Sequence, residues 1–278
     1  MNSIKLFTAN VKLTATEEYL LNWINDKPDL FIEYKTQEIA KAANCSTSAI
    51  TRLARKLDYP SLKKMQIKAQ EKMSEIKDNY QIISENNLSA NIVNLNTYHS
   101  YAIKETLTDI DLDVIQWIVE RILISPRIIL FGVGSSKRAC QELATNLIKI
   151  GFNVIFYEDI HIQLLNIPML TKDDLVIMFS KNCQTREIRF LIDACYEYEI
   201  PSVVFTSNKN FSQKEKVTKV LTFVTYEQSQ RITAISSKIA QLIISDLIYT
   251  EVFNHDYQKN ISLVEHGTNL IAKWNTYK

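Results

Sequence analysis

The stretch that most constrains this chain is Arg127-Ile-Ile-Leu-Phe-Gly-Val-Gly-Ser-Ser136. An apolar run leads into Gly132-Val-Gly134, two serines follow, and a long helical pattern begins. This reads as a buried strand, a tight glycine turn and a helix N-terminus. Such a turn aims backbone N–H groups and the positive end of a helix dipole at one point, which suits an anion. The chain has four glycines, and two of them stand here.

Beyond this turn, strands and helices alternate. The expected strands are Ile128–Val133, Asn153–Tyr157, Leu175–Ser180, Ser202–Thr206 and Val220–Thr225. The expected helices are Ser136–Ile150, Ile160–Asn166, Arg186–Tyr198 and Thr233–Phe253. That alternation predicts a parallel sheet covered on both faces, with ligands at the carboxyl ends of the strands. Residues 255–278 are a tail whose Leu263, Val264, Leu270, Ile271 and Trp274 call for a packing partner.

The residues before Arg127 read differently, as helix throughout. Thr14-Ala-Thr-Glu17 has the form of a capping box opening a first helix that Pro28 closes. Ile32 to Lys35 is a connector. Thr36–Ala43 is a short helix, Asn44-Cys45 a turn, and Ser46 caps a helix from Thr47 to Leu57. A fourth helix follows Ser61 and runs through Lys72. Residues 78–99 are polar and asparagine-rich, a linker passing into a helix that ends near Leu107. Leu112–Ile124 is another amphipathic helix. The expected division is therefore a helical domain over 1–77, a linker and connecting helix over 78–104, an α/β domain over 105–255 and a tail over 256–278.

Charge is unevenly spread. The whole chain is +1, but residues 41–72 hold eight basic and two acidic side chains, net +6. A basic segment with two short helices joined by a tight turn has the form of a helix-turn-helix. Its second helix carries Ser46, Thr47, Ser48, Thr51, Arg52, Arg55 and Lys56 on the polar side, with Ile50, Leu53 and Leu57 inward. Short hydroxyl residues approach base edges closely, Arg52 has the reach for a guanine edge, and Arg55 and Lys56 suit phosphates. A structural helix bundle with a solvated polar face has the same pattern.

Two readings compete at the glycine turn. A dinucleotide site would use Gly132-x-Gly134 and an acid at Glu158, but the third glycine position is Lys137, a large side chain where close helix–strand packing is needed. A phosphate cradle would pair Gly134, Ser135 and Ser136 with Ser180-Lys-Asn-Cys-Gln-Thr185, where Ser180, Asn182, Gln184 and Thr185 offer hydrogen-bonding groups. Ordinary helix capping also places Ser and Thr at such positions.

No apolar run approaches a bilayer span, Met1-Asn-Ser-Ile-Lys lacks a signal-peptide core, and Cys45, Cys140, Cys183 and Cys195 show no C-x-x-C spacing. The expectation is a cytoplasmic protein with reduced thiols and neither metal nor cofactor.

These residues together resemble the RpiR family of bacterial transcriptional regulators, an N-terminal helix-turn-helix followed by a SIS (sugar isomerase) domain. The likeness covers about residues 10–255. It rests on Leu13-Thr-x-x-Glu17, Thr36-Gln-Glu-Ile-Ala40, Ser46-Thr-Ser-Ala-Ile-Thr-Arg-Leu-Ala-Arg-Lys-Leu57, Phe131-Gly-Val-Gly-Ser-Ser136, Asp159-x-His161-x-Gln163, and Glu227-x-x-x-Arg231 leading into Ser236–Leu242. The resemblance implies a non-enzymatic, dimeric or dimer-of-dimers regulator of double-stranded operator DNA. It implies a phosphosugar effector between the two loops, with Glu227 and Arg231 near the sugar and His161 a neighbour. One departure stands out: the second loop of the family reads Ser-x-Ser-Gly-x-Thr, whereas here Asn182 and Cys183 replace its second Ser and its Gly. A sugar-phosphate isomerase using Glu227 or His161 as base is the alternative, and a regulator that has lost effector sensing is another.

Overall fold

The structure is a computed structural model that describes residues 6, 7, 9, 11, 13–79, 87–226 and 233–277. The described residues form two compact units, one comprising residues up to 98 with Tyr226, the other residues 99–225 and 233–277.

The first unit is helical: α1 (Ala15–Asp26), α2 (Pro28–Glu33), α3 (Thr36–Ala42), α4 (Thr47–Lys56), α5 (Leu62–Asn79) and the start of α6 (Leu88–Thr108). The capping box is formed as expected: the Thr14 N–H donates to Glu17 Oε2 at 2.9 Å and the Glu17 N–H to Thr14 Oγ1 at 3.4 Å. Pro28 departs from expectation. It opens α2 instead of ending the helical run, because a proline at the first helical position forfeits an N–H that has no partner there anyway. α2 places Phe31, fully buried, in a core with Leu20, Ile24, Ile39, Ile50, Leu53 and Met65. The asparagine-rich segment passes into a helix, most of its asparagines lying within it. Helix α6 already begins at Leu88, with Asn87 Oδ1 accepting the Ala90 N–H at 2.9 Å, and Ala90, Tyr98, Tyr101 and Ala102 are buried along it. The units part inside this helix, between Tyr98 and His99.

The second unit follows α6 with α7 (Leu112–Ile124), β1 (Ile128–Gly132), α8 (Lys137–Lys149), β2 (Val154–Ile155), α9 (Ile160–Leu165), β3 (Leu175–Phe179), α10 (Arg186–Glu197), β4 (Ser202–Thr206), β5 (Lys219–Thr222), α11 (Ser236–His255) and α12 (Tyr257–Asn275). All five strands are parallel, in the order β2-β1-β3-β4-β5. The second strand is shorter than expected, two residues on the sheet edge. The tail is a helix. Strand residues alternate between two cores: Ile128, Leu130, Ile177, Val203 and Leu221 pack with α7, α8 and α11, while Ile129, Phe131, Val176, Met178 and Val204 pack with α10. Every residue of β1, β3 and β4 is buried, as expected of a parallel sheet with two covered faces.

At the amino end of the sheet, Arg127 and Asp174 form a bidentate pair, Nε–Oδ1 2.9 Å and Nη2–Oδ2 2.7 Å, just before β1 and β3. Asp174 is wholly buried. Burial pushes its carboxyl up, but Arg127 and the Thr171 N–H and hydroxyl outweigh that and hold it below the usual range. Removing one member of a buried pair strands the other charge. Arg127→Met is therefore expected to destabilise the second unit by about 3–5 kcal/mol, measured as a lower urea midpoint at unchanged slope. A loss below about 1 kcal/mol, the size of an exposed pair, would contradict this placement.

Candidate functional site

The helix-turn-helix is built from α3 and α4. Asn44 takes φ +47°, the left-handed conformation that turns the chain out of α3, and the Cys45 N–H closes on the Ala40 carbonyl at 2.9 Å. Ser46 Oγ accepts the Ala49 N–H at 3.2 Å and caps α4. Ala49, Ile50, Leu53 and Ala54 are buried, which turns Thr47, Ser48, Thr51, Arg52, Arg55 and Lys56 outward; all six, and Ser46, are exposed. Three hydroxyls are partly engaged: Ser46 Oγ lies 2.9 Å from Ser48 Oγ, and Thr51 Oγ1 donates to the Thr47 carbonyl at 3.2 Å.

Lys56 is placed differently from the expectation of a free phosphate contact. Its ammonium donates to Glu17 Oε2 at 2.6 Å, tying the end of α4 to the start of α1. Glu17 is buried, and this hydrogen bond, followed by that from the Thr14 N–H, lowers its pKa from 4.5 to about 2.

In the second unit, the sheet order reverses between β1 and β3. Gly132 and Phe179 are register partners at the carboxyl ends of these strands, so the two expected loops are brought side by side. Gly132 allows a close approach: a Cβ there would stand 2.8 Å from Cys140 Sγ and 2.9 Å from the Ser136 carbonyl carbon. Gly134 takes φ +61° and opens a 3-10 turn through Ser136, from which α8 departs. Ser136 is buried, Ser135 half-buried and Gly134 exposed.

The loop after β3 keeps a glycine-type turn without glycine. Cys183 adopts φ +55°, its N–H donates to Ser180 Oγ at 3.1 Å, and its thiol is buried under the loop beside the β1 and β3 side chains. Burial pushes the thiol pKa up. The side chain that replaces the family's glycine thus lies in the core. Asn182, Gln184 and Thr185 are exposed around the turn. Thr185 stands at the N-cap of α10, and its side chain makes no capping bond.

β4 contributes a brace that the sequence reading left unassigned. The Lys181 carbonyl accepts from Thr206 Oγ1 at 2.8 Å, Ser207 Oγ at 3.0 Å and the Ser207 N–H at 2.9 Å, and Asn208 Nδ2 donates to the Asn182 carbonyl at 3.2 Å. The signal was present as Thr-Ser-Asn at the end of the neighbouring strand.

Lys137 does not crowd the helix–strand contact. Its ammonium reaches the Glu158 carbonyl at 2.7 Å, and the tight contact is made by Gly132. Beside it, a cavity of about 140 Å³ is lined by Gly132, Val133, Lys137, Tyr157, Glu158 and Glu187 among others. The Asp159-x-His161-x-Gln163 motif is largely structural. Asp159 caps α9, and buried Gln163 accepts the Tyr157 N–H at 2.7 Å while donating to the Leu130 carbonyl at 3.0 Å. His161 is exposed on α9. Glu227 and Arg231 lie outside the described residues. Among the described residues, no three His, Cys, Asp or Glu side chains are grouped to hold a metal, and no helix is long and apolar enough to cross a membrane.

Comparison with known proteins matches both units. Residues 3–75 fit the family model described as helix-turn-helix domain, rpiR family, and residues 122–251 fit the SIS domain model. An uncharacterized HTH-type transcriptional regulator of Clostridium perfringens is 22% identical over 265 residues, covering 90% of this chain and 91% of that protein. Another, from Escherichia coli, is 23% identical over 270 residues, 94% and 95% of the two chains. The Vibrio vulnificus NanR protein complexed with ManNAc-6P shares the fold at TM-score 0.61 and 19% identity, over 94% of each chain. A putative sugar-phosphate isomerase from Listeria monocytogenes shares it at TM-score 0.55 and 19% identity, over 64% of this chain and 98% of that one.

The Glu17–Lys56 pair predicts a pH dependence. A carboxyl with a depressed folded pKa contributes stability above its unfolded value, about 4.5, and loses it as pH falls toward about 2. Glu17→Gln is expected to cost about 1 kcal/mol at pH 7, the size of a lost cap. The gap from wild type, measured by thermal unfolding, is expected to close between pH 4.5 and pH 2. A gap that stays constant through that window would refute the pairing.

Proposed function

We propose, from the premise that the chain belongs to the rpiR family of helix-turn-helix proteins with a SIS domain, that it binds operator DNA through α4 and takes a phosphorylated sugar at the crevice between β1 and β3. Ligand binding changes its affinity for DNA. The carrying observation is the paired loops at the strand-order reversal, Gly134–Ser136 and Ser180–Thr185, each leading into a helix N-terminus. A single phosphate would suit that arrangement: the N-termini of α8 and α10, with their backbone N–H groups and the Thr185 hydroxyl, follow the ends of adjacent strands, and such a site needs no metal. Ser135, Ser136, Ser180, Asn182 and Gln184 complete the rim or brace it. Glu227 and Arg231 serve the sugar. That NanR is complexed with a sugar phosphate supports this ligand class.

For DNA, the support is the exposure of Ser46, Thr47, Ser48, Thr51, Arg52 and Arg55 on one capped helix of a basic segment. Lys56 acts mainly by holding α4 against α1 through Glu17. The regulator works in the cytoplasm as a dimer or dimer of dimers, reading a palindromic operator. The sugar phosphate favours one arrangement of the assembly, and linkage carries that preference to the DNA. A catalytic role is not proposed: the rpiR-type helix-turn-helix unit favours a regulator, and of the two residues that could act as base, His161 stands exposed on α9 and Glu227 is given a binding role.

The test uses DNA selected by the wild-type protein from a random duplex pool. Arg52→Ala is expected to lower affinity about 10-fold or more and to relax preference at one base pair, the cost of a bidentate base contact. An active sugar phosphate is expected to shift wild-type affinity and to act equally on the variant. Unchanged binding in Arg52→Ala would remove α4 from the interface.

A further inference from the structure

The first half of α12 belongs to the core of its unit, and the second half does not. Asn260 is buried, donating from Nδ2 to the Phe253 carbonyl at 2.9 Å, and Val264 packs on the α7–α8–α11 core. Leu263 lies 3.7 Å from where a Cβ would stand on Gly151, at the end of α8. From Glu265 to Tyr277 every residue is exposed, yet the apolar face continues. Leu263, Gly267, Leu270, Trp274 and Tyr277 follow each other in alternating steps of four and three residues. Leu270 is 69% exposed, Trp274 73% and Tyr277 86%.

We propose that this projecting face of α12 pairs with the same face of a second copy of this chain. The four-three spacing is that of a helix meeting another helix along a seam, the geometry of knobs-into-holes packing. Gly267 fits a crossing point. A glycine inside a helix costs about 1 kcal/mol relative to alanine, and among the described residues none has an atom within 4 Å of where its Cβ would stand. Among the described residues its thinness therefore serves no contact with another element. In an antiparallel two-fold pair, the bulk of Leu270 and Trp274 on one helix falls beside Gly267 and Leu263 on the other, so one patch is complementary to itself. The exposed surface of Leu270, Ile271, Trp274 and Tyr277 sums to at most about 600 Å² per copy, so a pair that buried all of it would reach about 1,200 Å², the lower edge of a specific interface. A membrane surface is the less suitable occupant. Such helices carry a strongly basic polar face, whereas this segment sets Glu265 against Lys273.

Trp274 reports directly on the contact. The experiment compares the full chain with Trp274→Phe and takes the difference in tryptophan emission from sub-micromolar to hundred-micromolar protein, with sedimentation measuring mass. The expected result is a blue shift of the Trp274 contribution that grows with concentration. Leu270→Glu is expected to abolish it and halve the mass of the associated species, while leaving the unfolding temperature unchanged at sub-micromolar protein, where no pair forms. Gly267→Leu is also expected to abolish it, although it adds apolar surface and helix propensity. Four results would overturn the proposal: red emission at every concentration; a blue shift independent of concentration, which marks the chain's own surface; a shift seen only with anionic phospholipid vesicles; or association that survives Leu270→Glu or is strengthened by Gly267→Leu.

Discussion

The second unit depends on the handedness of its crossovers. A strand–helix–strand connection in a parallel sheet is right-handed in nearly all cases. From β1 the chain steps outward to β2 through α8, and from β3 it steps in the opposite direction to β4 through α10. Opposite steps with one hand put α8 and α10 on opposite faces, as their separate cores record. Their N-termini then diverge from adjacent strand ends, and a crevice opens between the loops after β1 and β3. Gly132 lets the start of α8 lie against the strand end, and at the end of β4 the Thr206 and Ser207 hydroxyls hold the Lys181 carbonyl while the Asn208 amide holds that of Asn182. The proposed anion site would draw on backbone placement, so it would need few charged side chains.

Much of this was legible in the residues. The alternation of strands and helices, the capping box at Thr14, the left-handed turn at Asn44 and the outward face of α4 all follow from local rules of spacing and capping. What the sequence did not reveal depends on contacts distant in the chain. Lys56 meets Glu17 across 39 positions, and no local pattern marks that pairing. Lys137 looked like an obstacle because a fingerprint assigns its position to packing; the close contact is made instead by Gly132 against Cys140, one turn further along α8. Cys183 looked like a departure in a glycine's place, yet it adopts φ +55° itself, with its side chain buried in the core beneath the loop. Pro28 was read as a stop and is a start, an ambiguity inherent in a residue suited to both sides of a helix boundary.

The two units divide the chemistry. The helical unit offers exposed hydroxyl and guanidinium groups on a capped helix, locked to its neighbour by a buried carboxylate. The α/β unit offers dipoles and N–H groups at a strand-order reversal. The first suits a polyanion read by its edges and backbone, the second a single small anion. The α12 face adds a third kind of surface, apolar and periodic, suited to a helix of its own kind.

The central claim is that the loops after β1 and β3 hold a sugar phosphate although Cys183 stands in one of them. Thermal unfolding of the full chain against a panel of hexose and acylamino-sugar 6-phosphates, with the parent sugars and inorganic phosphate as controls, tests it most directly. A ligand that binds the native state raises its melting temperature with concentration. The account predicts that at least one sugar phosphate does so, that its dephosphorylated sugar does not, and that Thr185→Ala weakens the shift. A panel in which no sugar phosphate moves the transition, or in which the parent sugar moves it equally, would contradict the account.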